Sequence, residues 1–240
     1  MTQIFLGTNQ MCGCVQIRTS SAVGTAFAFG SGYNSYFLTA NHNLMGVAEG
    51  ENILFRKEGD WQTFVIDRIY RHPDGDDVAA FTLIGVHWKV SDDLTPAFGL
   101  WPGGEVKFLG FPHGLENSYP SETGFSTPFV RTAYFSGDYM HNGKAYMMLD
   151  GFNNPGYSGA PIYARADNGQ PSIVGIISGY RVEEKSKSGV FELNSSGQER
   201  PIEGLFVKPN SGMIHAVGLE RVRLLFPHIA SFNGARSMGG

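Results

Sequence analysis

Cysteine is nearly absent, with 2 in 240 residues. So small a number excludes a disulfide framework. Cys12 and Cys14 stand two apart in what reads as one strand, sharing a face and badly placed for a mutual bridge or a four-ligand zinc site. Both are expected as reduced core or edge residues with no redox or metal role. An excess of basic charge is missing too: 18 Lys and Arg against 22 Asp and Glu give a formal net charge of −4, and no cationic stripe marks a nucleic-acid or anionic-membrane partner. Nor is there a long apolar run. No segment approaches spanning length, and residues 1–10 lack the basic-then-apolar pattern of a secretory leader, so a soluble protein is expected.

Glycine, by contrast, is abundant. The 32 glycines and 12 prolines are spread between short apolar segments, which suits a chain of many strands and turns and argues against a helical bundle. Strands are expected over 12–18, 23–29, 35–40, 52–56, 61–70 and 78–84, then over 105–110, 124–135, 144–150, 160–164, 172–178 and 205–217. Residues 86–104, rich in Asp, Pro and Gly, read as a linker, which divides the chain into units 1–100 and 101–240. The segment Leu219 to Phe226 has helical apolar spacing and stops at Pro227. The last ten residues are small and polar enough to fray.

One serine stands out. In Asn154-Pro155-Gly156-Tyr157-Ser158-Gly159-Ala160-Pro161, glycines on both sides allow a tight turn, can bring the Gly156 and Ser158 amides side by side, and leave the Ser158 hydroxyl unobstructed. A nucleophilic serine needs a base. His42 ends the run Leu38-Thr39-Ala40-Asn41-His42, at the mouth of a turn after an apolar strand. Between the two lies an acid. The polar turn at Asp74, Asp76 and Asp77 leads into Val78-Ala79-Ala80-Phe81, and Asp77 directly abuts that strand; Asp76 is the fallback.

The chain order histidine, aspartate, serine, with the words TANH at 39–42, DVAAF at 77–81 and GYSGAP at 156–161, resembles the chymotrypsin-like (trypsin-fold) serine peptidases. The resemblance covers most of the chain and implies an all-β fold of two packed six-stranded antiparallel barrels closed by a short C-terminal helix. It also implies a hydrolase: Ser158 as nucleophile, His42 as general base and acid, Asp77 orienting the imidazole, and the Gly156 and Ser158 amides as the oxyanion hole. Histidine, with an unperturbed pKa of about 6.5, suits that proton exchange. Such chemistry needs no cofactor, and its partner is a protein or peptide substrate. An α/β-hydrolase fits poorly, since Ala160 stands where its elbow wants glycine and its acid and histidine follow the serine.

Within that family, Asn154-Pro155-Gly156 and Leu109-Gly110-Phe111-Pro112-His113-Gly114-Leu115 resemble the high-temperature-requirement (Deg-type) bacterial peptidases, without the peptide-binding domain that usually follows. Secreted animal members lean on several disulfides, so two cysteines favour a reducing, cytoplasmic setting or a bacterial, phage or viral origin. A polyprotein-processing protease and a catalytically silent binding module both stay open on the residues alone. Tyr157 occupies the position of the aspartate that pairs with a freed N-terminus in zymogens, so activity is expected without N-terminal cleavage. Phe152 matches the position that carries a carboxylate in enzymes selecting Lys or Arg, which argues against that preference; Phe152 packing in the core is the other reading. Ser178, Gly179 and Tyr180 resemble the substrate-pairing strand, Ser178 also matching the hydroxyl that supports the aspartate, and Gly212 resembles the far wall of an apolar pocket. The polar stretch 181–201 reads as a solvated hairpin or loop, or as a lid.

Overall fold

The computed structural model describes residues 4–29, 35–88, 100–119, 124–182, 188–193, 197–207 and 210–225. Six strands close the first barrel: β1 (Cys14–Arg18), β2 (Val23–Phe29), β3 (Tyr36–Thr39), β4 (Asn52–Lys57), β5 (Asp60–Arg71) and β6 (Ala79–Leu83), hydrogen-bonded in the order β1-β2-β3-β6-β5-β4. The second barrel is built from β7 (Glu105–Gly110), β8 (Phe129–His141), β9 (Lys144–Asp150), β10 (Pro161–Arg165), β11 (Pro171–Val182) and β14 (Asn210–Gly218), in the order β10-β11-β14-β9-β8-β7. A separate two-stranded hairpin, β12 (Ser188–Leu193) with β13 (Glu199–Val207), stands between β11 and β14 in the chain. All named pairings are antiparallel.

Alternation along the strands explains how two barrels share one core. In β2, Ala26 and Ala28 face the interior of the first barrel with Phe37, Phe55 and Phe81, while Phe27 and Phe29 point the other way. Small side chains are needed where three phenylalanines crowd one axis, and period-2 geometry sends the intervening large ones outward. Those outward residues form the seam between the barrels: Phe27, Phe29, Leu38 and Val78 meet Leu109, Tyr163, Ile176 and Val217. Val106, Phe108, Leu149, Tyr157, Ile162 and Ile214 fill the second barrel.

The chain closes with the one-turn helix α2 (Leu219–Val222) and a 3₁₀ turn at Arg223–Leu225, whose Leu219, Val222 and Leu225 cap the seam. A salt bridge fastens α2 to the first barrel. Arg221 donates from Nε to Asp76 at 2.6 Å and from a terminal nitrogen to Asp74 at 2.7 Å. Behind it His72 is buried, its Nδ1 accepting the Asp74 and Asp76 amides, so its Nε2 carries the proton and donates to the Arg221 carbonyl at 3.0 Å. Asp76 is only 2% exposed. Arg221→Ala would strand that carboxylate, and about 2–3 kcal/mol of stability should be lost in urea unfolding.

Two local readings of the sequence are corrected. Cys12 is not in a strand: it ends a short helix, α1 (Thr8–Cys12), whereas Cys14 opens β1, so the two do not share a face, and neither is in a disulfide. Helix wins over 8–12 because Gln10 folds back to hydrogen-bond the Gly7 amide that starts it. The strand expected over 205–217 divides into β13 and β14, which pair with different partners, β12 and the β11/β9 edges. The expected fraying of 231–240 and most of the 86–104 linker lie outside the described residues.

Candidate active site

His42 sits in a 3₁₀ turn (Asn41–Leu44) entered directly from β3 through the extended residue Ala40. Asp77 lies just before β6, the neighbour of β3 in the sheet, so the two ladder partners deliver imidazole and carboxylate to the same end of the barrel. There His42 Nδ1 is 2.8 Å from Asp77 Oδ2, and the His42 backbone N–H donates to Oδ1 at 2.9 Å. Ser178, from the second barrel, donates its hydroxyl to Asp77 Oδ2 at 2.6 Å. Its strand β11 carries a register shift between Ile177 and Gly179, a bulge of the kind that re-aims a side chain out of a ladder.

These contacts set the protonation pattern. Burial pushes the Asp77 carboxyl up, but the hydrogen bonds and charge of His42, with the Ser178 hydroxyl, outweigh it and hold the group below its ordinary range. An ionised Asp77 accepts at Nδ1, so that nitrogen carries the proton and Nε2 keeps its lone pair. Asp77 alone of the three acids serves the histidine. Asp74 and Asp76 are taken by Arg221.

Ser158 is half-buried between fully buried neighbours, Gly156-Tyr157 before it and Gly159-Ala160 after. Its carbonyl accepts from the Thr25 amide at 2.9 Å and from Asn43 Nδ2 at 2.9 Å. Asn43 also donates to Thr39 Oγ1, which donates to the Thr25 carbonyl, while Thr25 Oγ1 donates to the Gly156 carbonyl at 2.7 Å. Asn43 adjoins His42 in the same turn, so this buried network ties the serine loop to the histidine turn. The sequence reading missed the role of all three of Thr25, Thr39 and Asn43; the only signal was a single threonine in each of two otherwise apolar strands, Thr25 in β2 and Thr39 at the end of β3.

The peptide planes around Ser158 are fixed individually. The Pro155 carbonyl accepts from the His113 amide at 2.6 Å, and the Tyr157 carbonyl accepts from Ala160 at 2.8 Å. Both peptides are trans, so the Gly156 and Ser158 N–H groups point opposite to those engaged carbonyls. Among the described residues neither N–H meets an acceptor. Gly156 has φ +103°, and a Cβ there would overlap the Phe111 carbonyl oxygen. Gly156→Ala should therefore turn this peptide, and removal of one such donor costs about 10²- to 10³-fold in turnover where an oxyanion is stabilised. Steady-state kinetics with a peptide substrate would measure it.

The remaining sequence-named residues fall around the serine loop. Phe152 is 62% exposed, which rules out the core reading. It follows Gly151, whose amide donates to the Gly212 carbonyl at 2.9 Å, so Phe152 and Gly212 lie on neighbouring segments. Gly179 pairs with His215 beside Ser178, and the Tyr180 side chain is outside the described residues. Tyr157 is fully buried, edge-on to Phe108 at 4.9 Å; burial raises its phenol while the Arg131 guanidinium pulls the other way. Among the described residues no cluster of three or more His, Cys, Asp or Glu could hold a metal.

Two closed six-stranded antiparallel barrels, a short C-terminal helix and a His–Asp pair at the barrel seam define the chymotrypsin-like fold. Solved structures agree. An inactive serine-to-alanine form of Rv3671c from Mycobacterium tuberculosis matches over 96% of this chain and 91% of its own, at 14% identity and TM-score 0.55. The HtrA-type protease AlgW, in complex with a tripeptide, matches over 92% of this chain and 62% of its own, at 17% identity and TM-score 0.56. The thermostable serine protease AL20 from an extremophilic microorganism matches over 94% and 99%, at 15% identity and TM-score 0.56. No family model and no curated protein sequence matches the chain.

Proposed function

We propose that this chain is a serine endopeptidase that cleaves peptide bonds through an acyl-enzyme on Ser158. The observation that carries the reading is the triply hydrogen-bonded Asp77, which holds His42 in the tautomer a general base requires. In the proposed cycle Nε2 of His42 takes the Ser158 proton as Oγ attacks the carbonyl carbon. The tetrahedral oxyanion is held by the Gly156 and Ser158 amides. The imidazolium then protonates the leaving amine, and a water, deprotonated by the same nitrogen, hydrolyses the ester. Substrates are proteins or peptides, with the acyl-side residue entering between Phe152, the Ser178-Gly179-Tyr180 strand and Gly212.

A fluorophosphonate probe tests this most directly. Stoichiometric phosphonylation, located at Ser158 by mass spectrometry, is the expected result. Well-folded protein that stays unlabelled would instead favour the silent binding module.

A further inference from the structure

Beside Gly156 lies a cavity of about 290 Å³ whose walls include none of Phe152, Ser178, Gly179 or Gly212. Its first-barrel side is made by Gln16 and Arg18 of β1, Arg56 of β4 and Trp61 of β5, and its second-barrel side includes His113 and Gly156. Gln16 is 1% exposed, and neither Nε2 nor Oε1 of its side chain has a hydrogen-bond partner among the described residues. A buried amide with both ends unmatched is costly, and such groups are rarely kept unless something engages them.

The charge of the cavity is set by two arginines. Arg18 and Arg56 both stack on Trp61, with Cζ 4.9 Å and 5.3 Å from its ring centroid. Arg56 is matched by Glu116 at 3.4 Å. Arg18, exposed where it lines the cavity, meets no carboxylate among the described residues, so its charge is balanced there by solvent alone, with the guanidinium held over the indole.

We propose that this cavity is a leaving-group-side subsite that selects an Asp or Glu side chain within the first two substrate residues after the scissile bond, with Arg18 and Gln16 as its specificity-determining residues. The inference rests on the peptidase reading for its orientation. With the acyl-side residue on the Phe152–Gly212 side of the Gly156 amide, a chain crossing Ser158 continues past Gly156 into this cavity. Once a substrate opens the wall over Gln16, whose amide atoms are closed to solvent in the free chain, its carboxylate accepts from the Arg18 guanidinium fork and from Gln16 Nε2, while Gln16 Oε1 accepts a substrate backbone N–H. A neutral amide side chain satisfies Gln16 and leaves the Arg18 charge unmatched; a lysine is repelled by it.

Binding tests this apart from catalysis. Ser158→Ala protein is titrated with fluorescent decapeptides that differ only in carrying Glu, Ala or Lys at those two positions. The Glu peptide should bind about tenfold or more tightly than the Lys peptide at low salt, with the gap narrowing as salt is added. Adding Arg18→Glu should reverse the order, and adding Arg18→Gln, which keeps the stem over Trp61, should abolish the preference. Equal binding of all three peptides, or a preference surviving both substitutions, overturns the proposal. In the wild-type chain, Ser158 labelling combined with cleavage indifferent to these residues overturns the subsite and leaves the peptidase reading standing. Charge-dependent binding without any labelling supports the acidic subsite and sinks the peptidase reading instead.

Discussion

His42→Ala and Ser158→Ala should each lower kcat for a peptide substrate by on the order of 10⁶-fold, and the double variant by no more than either alone. In the proposed cycle the two groups act as one device. An alanine at 42 leaves a serine hydroxyl with nothing to take its proton, and an alanine at 158 leaves a base with no nucleophile. Additive losses would mean that the residues act independently and would contradict the proposed cycle. A residual rate above that of water is expected in both, because the Gly156 and Ser158 amides remain oriented by the Pro155–His113 and Tyr157–Ala160 hydrogen bonds. Stopped assays with circular dichroism on each variant separate lost chemistry from lost folding.

Asp77→Asn should cost about 10⁴-fold in kcat at neutral pH. Asp77 accepts three hydrogen bonds, two of them at Oδ2, from His42 Nδ1 and Ser178 Oγ. An asparagine can present only one oxygen. If that oxygen faces Ser178 and His42, the amide nitrogen meets the His42 backbone N–H, donor against donor. If it turns, the amide donates to Nδ1 and forces the proton onto Nε2, where it blocks the attack on serine. The same substitution should alter acid stability. The native Asp77 carboxyl is held below its ordinary value, so its contribution is present above the unfolded-state pKa of about 3.9 and is lost as pH falls through the lower native value. Unfolding free energies measured from pH 6 down to pH 2 should fall more steeply in the wild type than in Asp77→Asn.

The strands were legible because barrel walls impose alternation. β2, with its Ala-Phe-Ala-Phe, announces two buried faces from composition alone, and β7, β9 and β4 fall within a residue of the expected spans. Boundaries failed where a tertiary contact outranked local pattern. Residues 124–128 look strand-like, yet Thr127 pairs with Asn117 in an isolated bridge and Ser126 donates to Glu116, so β8 begins only at Phe129. Cys12 was drawn into a helix by a side-chain hydrogen bond that no periodicity announces.

At the site, the sequence by itself determined which residue types were on offer and in what order: His42 after a strand, three aspartates in one turn, and Ser158 between two glycines. Chain order and glycine flanks are one-dimensional, and they survive without coordinates. The sequence already preferred Asp77 because it abuts β6, and the tertiary structure removed the fallback, because Arg221 lies 145 residues beyond Asp76 and still takes that carboxylate and Asp74, leaving Asp77 for His42. It also decided what holds Ser158. Asn43, Thr25 and Thr39 come from segments over a hundred residues away from the serine, and a hydrogen-bond network closed by packing two barrels together has no local signature in either one.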